Sequence, residues 1–142
     1  MKDNKSIGFH LIAIKTEQFA VLEENFKNDK DVDLNTNFEF KLNTELMRLG
    51  VFATFQFESK KKTFIKLQVS CHFEIEPDAW NSFKQPDEIR FPTSFARHLC
   101  MLTVGTARGI LHCKTEGTSF NSYLLPTINV AEVVTEDVFF TE

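Results

Sequence analysis

The sequence predicts an α+β fold: a four-stranded antiparallel sheet with helices packed on one of its faces. Three observations carry that expectation. Apolar and polar residues alternate over long stretches between Val32 and Ile75, the alternation stops at Glu88, and Phe91, Phe95, Leu99 and Leu102 then recur at helical spacing. Strands joined by short turns make an antiparallel meander, and its dry face has to be covered by something.

The stretch Ile65 to Ile75 is the most regular. Ile65, Leu67, Val69, Cys71, Phe73 and Ile75 point one way, with Lys66, Gln68, Ser70, His72 and Glu74 opposite. A one-residue slip would wet all six apolar groups, so the register is firmly specified. Val32 to Asn43 alternates as cleanly, with Val32, Leu34, Phe38, Phe40 and Leu42 on one side, and Asn43-Thr44 favours a turn. The next strand sets Met47, Leu49, Val51, Ala53, Phe55 and Phe57 against Arg48, Gly50, Phe52, Thr54, Gln56 and Glu58. Ser59 to Lys62 is a polar connection short enough for a hairpin.

A first strand is read over Ile7 to about Phe19. Ile12 and Ile14 give it apolar residues on both faces, as cover by a partner chain would demand. Asn25 to Asp31 is polar and charged, hence a loop. Pro77 and Pro86 bracket an irregular segment around Trp80 and Phe83. The helix is expected to start at Pro92 or Thr93, because proline is tolerated in a first turn. It either continues to about Cys113 or breaks at Gly105 and Gly109, each of which costs about 1 kcal/mol relative to alanine. Lys114 to Tyr123 reads as a loop, Leu124-Leu125-Pro126 as an apolar knot that docks, and the segment from Ala131 as an acidic tail.

The 142 residues are read as a single domain, 1–142, with the sheet over about 7–76, a helical and loop part over about 88–130, and the short tail at 131–142. Hydrophobic residues at 42% and charged residues at 25% are ordinary globular values. The aromatic balance is not ordinary. Sixteen Phe against one Trp and one Tyr suit a sheet core or a surface that grips apolar partners. A net charge of −4 argues against a nucleic-acid binder that works by phosphate neutralisation. No apolar stretch approaches the roughly 20 residues that span a bilayer, and the lead Met1 to Ser6 is polar. Three cysteines at irregular spacing fit a reducing compartment, so a cytoplasmic location is expected.

No constellation of an enzyme stands out, and no cofactor is expected. Cys71 and His72 are neighbours on a strand and point to opposite faces. His98 and Cys100 do not face each other on a helix, and His112-Cys113 are again adjacent. Neither a CxxC nor an HExxH spacing occurs, so no metal site is expected. Cys71 falls on the dry face, where a thiol is inert. Gly105 and Gly109 follow a helix start instead of opening one, so they make no phosphate loop. Small residues four apart would let a second backbone approach, with packing on the chain's own sheet weighed above a subunit contact.

The residues that remain carry a family likeness. Antiparallel strands are followed by Phe91-Pro92, then Arg97, an apolar helix and Leu124-Leu125-Pro126-Thr127-Ile128-Asn129. This resembles the SecB family of protein-export chaperones, which has a Phe-Pro-Tyr-Ala-Arg element opening its first helix and a Leu-x-Pro-x-Asn-Phe element before its last. Phe9 to Phe19 sits where the family has its Tyr-x-Lys-Asp-x-Ser-Phe segment, and Cys71-His72-Phe73 replaces a Gly-x-Phe. The likeness spans roughly Phe9 to Val130. The chain departs from the pattern in two added residues between Pro92 and Arg97, in a longer stretch around Ile110 to Ser119, and in Val130 for the terminal Phe. Thr16 and Ala20 stand where the family has an acidic pair that helps dock the translocase motor SecA.

The resemblance implies an ATP-independent chaperone that holds unfolded polypeptides, for export or for a specialised client such as an antitoxin. It further implies a homotetramer built as a dimer of dimers, with SecA as a possible partner and neither nucleic acid nor membrane insertion. Candidate polypeptide-binding residues are Phe52, Trp80, Phe83, Phe95, Phe120, Tyr123 and Leu124. The alternative is a carrier whose sheet and helix enclose a dry cavity for a small apolar ligand. A structural interaction module is a third reading.

Overall fold

The structure is a computed structural model that describes residues 7–27 and 31–141. The expectations for the lead Met1 to Ser6, for the loop residues Asn28 to Lys30 and for the final Glu142 lie outside the described residues. Four long strands form one sheet: β1 (Phe9–Val21), β2 (Val32–Asn43), β3 (Arg48–Ser59) and β4 (Lys62–Ile75). The order across it is β1-β4-β3-β2, antiparallel throughout. The meander therefore runs through β2, β3 and β4, while β1 lies beside β4, so β1 and β2 are both edges.

The alternation decides what the sheet buries. Ile65, Leu67, Val69, Cys71, Phe73 and Ile75 are all at most 1% exposed, as are Leu49, Val51, Ala53 and Phe55 of β3. Two apolar clusters lie over this face. One joins the Phe73 and Ile75 end of β4 to Trp80, Phe91, Phe95 and Leu99. The other joins Ile65 and Leu67 to Phe64, Val104, Ala107, Leu111 and Phe120. The space between sheet and helix is thus filled by side chains, with Phe55, Phe64, Phe73 and Phe91 fully buried.

The covering elements are α1 (Pro77–Phe83), β5 (Glu88–Phe91), α2 (Thr93–Thr115), α3 (Val130–Val133) and β6 (Val138–Thr141). Four expectations change here, and one left open, the continuity of the long helix, is settled. The segment expected to be irregular around Trp80 is helix α1. Pro77 takes its first turn, the Trp80 amide bonds to the Glu76 carbonyl, and the Trp80 and Phe83 rings pack on Phe91. Helix α2 runs unbroken through both glycines, because its buried face (Phe95, Ala96, Leu99, Cys100, Thr103, Val104, Ala107, Leu111) holds it to the sheet. Leu102, expected on that face, is 41% exposed, one position off the stripe. Gly105 and Gly109 do not pack on their own sheet either: a Cβ built on each meets nothing within 4 Å.

The fourth change concerns the acidic tail. It forms α3 and then β6, which pairs with β5 in a second, two-stranded sheet. Asp137 ties it down by accepting from the Thr93 amide at 2.8 Å and the Thr93 hydroxyl at 2.6 Å. These bonds satisfy the start of α2, whose own N-cap, Pro92, offers no side-chain acceptor. The bonds from Thr93 hold the Asp137 carboxyl below the usual carboxylate range.

Candidate functional site

Helix α2 carries two arginines about three turns apart, so both project from one face. Arg97 donates from Nε to the Val134 carbonyl at 2.8 Å and from Nη2 to the Ala131 carbonyl at 3.2 Å. Arg108 donates from Nε to the Leu125 carbonyl and from Nη2 to the Pro126 carbonyl, both at 2.7 Å. The linker that follows α2 has little regular hydrogen bonding of its own from Tyr123 to Asn129. The Arg108 fork supplies partners for two of its carbonyls, and the Arg97 fork fixes α3 and Val134 just beyond it, so the chain after α2 is pinned along the helix at two separated points.

Between the pins the linker and the helix leave a cleft of about 680 Å³. Met101 and Val104 line it from the helix, and Leu124, Leu125, Pro126 and Ile128 from the linker. Leu125 is buried and anchors the linker, whereas Met101 is 60% and Leu124 53% exposed. Side chains of this size stand in water only at a cost in apolar exposure, of order 25 cal/mol per Å². The cleft is therefore a ready surface for an apolar segment of another chain. A second cleft of about 270 Å³ separates Phe38 and Phe40 of β2 from Val134 and Val138. Ile128 and Phe38 pack against both apolar clusters, so the linker lies across the boundary between the two halves of the core.

The seven candidate residues are dispersed by the fold. Leu124 lines the first cleft, and Tyr123, half-buried, stacks edge-on against Phe26, Phe57 and Phe64 beside it. Trp80, Phe83, Phe95 and Phe120 are between 4% and 6% exposed and belong to the core beneath. Their burial follows from α1 and from the turn after α2, which fold these rings inward. Phe52 lies on the opposite, outer face of the sheet, 5.6 Å from the His72 ring and 4.4 Å from Lys41 Nζ. Sequence reasoning passed over Met101, Ile128, Arg97 as a clasp and Arg108. Only the spacing of the two arginines on one helix face could have pointed to them.

Reactive chemistry is muted. Burial pushes the Cys100 thiol up to about 12 and raises that of Cys71, while Cys113 is exposed. Among the described residues no group of three or more His, Cys, Asp or Glu side chains is placed to hold a metal ion, and no helix is long and apolar enough to cross a membrane.

No protein-family model matches this chain, and no curated protein matches it in sequence. Among solved structures it is similar to a Mycobacterium tuberculosis SecB-like chaperone determined in complex with a ChAD peptide from an antitoxin. The two share a TM-score of 0.52 at 10% sequence identity, over 84% of this chain and 90% of that one. The likeness read from Phe91-Pro92 and Leu125-Pro126 holds at the level of the fold, which is the α+β arrangement of a SecB-like chaperone.

Proposed function

We propose that this protein is an ATP-independent chaperone that holds non-native polypeptides in the cleft between α2 and its following linker. The observation that carries the reading is the open cleft itself, with Met101 and Leu124 exposed at its mouth and the linker pinned by Arg108. An extended client segment laid there would cover Met101, Leu124 and Ile128, with Tyr123 packed beside it on Phe57 and Phe64, while Trp80, Phe83, Phe95 and Phe120 stay in the core. The fold shared with a chaperone solved with a bound peptide supports the same reading. Binding and release need neither nucleotide nor cofactor, and no reaction is catalysed.

Assembly belongs to the proposal. Among the described residues the outer side of β1 has no strand beside it, and Leu11, Ile12 and Ile14 are 46%, 40% and 48% exposed along it. An edge of this kind pairs readily with a second copy. Beside it, Met101, Leu102 and the open flank of Gly105 and Gly109 offer a helix face for a further contact, giving a dimer of dimers in the cytoplasm. The proposed clients are export substrates, with SecA as a possible recipient, or a specialised polypeptide such as an antitoxin.

The test is suppression of aggregation of a chemically unfolded client by a stoichiometric amount of this protein, without ATP. The wild type is expected to suppress it, and a Met101→Asp/Leu124→Asp variant, altered only at exposed positions, to lose most of that effect. Absence of suppression by the wild type would overturn the reading.

A further inference from the structure

The outer face of the sheet, turned away from α2, holds a depression of about 320 Å³ that the chaperone reading does not use. Gly50 is its floor. A Cβ there would lie 3.0 Å from the Phe52 ring and 3.2 Å from His72 Nδ1, so glycine is what lets both rings close around the hollow. Three cations surround it. Lys15 of β1 and Lys41 of β2 form no ion pair among the described residues, and Lys41 rests on the Phe52 ring at 4.4 Å. Arg48 is held only loosely by Glu74, at 3.4 and 3.5 Å.

His72 is fixed from behind. The Ser70 hydroxyl donates to Glu17 Oε2 at 2.7 Å, so its oxygen accepts from His72 Nε2 at 2.9 Å. That leaves Nδ1 of the neutral ring unprotonated on the Gly50 side. Burial above all, then Lys15 and Arg48, hold the His72 pKa below the usual histidine range, with Glu17 opposing.

We propose that this depression binds a carboxylate side chain presented by an extended, acidic segment of a partner polypeptide. The carboxylate sits between Lys15, Lys41 and Arg48, and an apolar side chain two residues along lies on the Phe52 ring and the 40%-exposed Ile12. Charge complementarity selects this occupant. The lining of the hollow holds Lys15, Lys41 and Arg48 and no carboxylate, enough charge for one carboxylate, whereas Glu17, Glu39 and Glu74 flank it on the same face and disfavour a ligand charged at every step, such as nucleic acid. The backbone amides beneath are spent in the strand ladder, so they cannot cradle a phosphate as a glycine-rich loop does. The site is on the opposite face from the cleft and stands independently of the chaperone reading.

The experiment is an amide NMR titration of the full chain with the peptide acetyl-Glu-Ala-Phe-Ala-Glu-amide and its Gln counterpart. The Glu peptide is expected to shift the Gly50, Phe52 and His72 resonances, and to bind about tenfold more tightly than the Gln peptide. Raising salt to about 0.5 M should remove most of that difference. The Lys15→Glu/Lys41→Glu variant, changed only at exposed positions, should lose the response with its spectrum otherwise intact, while aggregation suppression is unchanged. Equal binding of the two peptides, shifts confined to the α2 cleft, or no shift with the Glu peptide at millimolar concentration would each overturn the proposal.

Discussion

At the scale of single residues, the β3–β4 hairpin and the cysteines are the informative places. The hairpin turns through Lys60 and Lys61 alone, and both have positive φ, at 50° and 68°. Two left-handed residues in a two-residue loop are the signature of a type I′ turn, which prefers Asn-Gly. Lysine in that conformation costs roughly 1 kcal/mol per residue or more. Lys60→Asn/Lys61→Gly is therefore expected to raise stability by about 1 kcal/mol, read as a higher denaturant midpoint at unchanged slope. The sequence showed a hairpin here from its polar composition, but the left-handed strain has no sequence signal, because three lysines read as an ordinary solvated turn. The cysteines follow burial. In the folded chain a maleimide should label Cys113 at neutral pH and reach Cys71 and Cys100 only on unfolding. The Cys100 thiol moves from its ordinary 9.0 to about 12 on folding. Its pKa is higher folded than unfolded, so the stability it contributes is complete below about pH 9 and declines toward pH 12, by about 1.4 kcal/mol per unit. Alkaline melts of Cys100→Ala should show a shallower loss than those of the wild type.

Among elements, the contrast between strands and covering segments explains what could be read. β2, β3 and β4 each have one wet face, so period two stood out, and their bounds were legible to within a few residues. β1 was blurred because Ile12 and Ile14 break the alternation, and the structure places register shifts between Leu11 and Ala13 and between Thr16 and Gln18. Helix α1 was missed because a seven-residue helix shows no repeat, and its Trp80 and Phe83 read equally well as loop aromatics. The fixing of the linker and of α3 was invisible for another reason: Arg108 and Arg97 bond to backbone carbonyls, which carry no residue identity. Removing a clasp tests its role. Arg108→Met keeps the apolar stem and deletes two bonds to the linker, so it should destabilise by about 1–2 kcal/mol. Hydrogen exchange should quicken at Tyr123 to Asn129 before it does in β3 and β4. Acid acts on the same layer. The Asp137 carboxyl titrates lower in the folded chain than in the unfolded one. Its contribution is present above the unfolded pKa and is lost as pH falls through the folded one, so β6 and the start of α2 should be the first parts to loosen on acidification.

Over the whole molecule, the sheet divides two kinds of surface. One side carries the cleft along α2, the other the cation-ringed hollow over Gly50, and the β1 edge lies between them. If the β1 edge and the α2 flank are subunit contacts, light scattering should give four times the chain mass of 16.4 kDa, and Ile12→Lys/Ile14→Lys should reduce it. A mass equal to one chain would count against the assembly while leaving the cleft intact. The clasp of Asp137 on Thr93 carries a last consequence, one of timing. The helix start is completed by a residue made 44 positions later. At ribosomal speeds of about 5–20 residues per second, that is a delay of about two to nine seconds. Through that interval the nascent α2 has its apolar face and an unfinished first turn, and the Thr93 amide has only water to bond to. The growing chain is thus, briefly, itself an unfolded polypeptide with a bare apolar helix face.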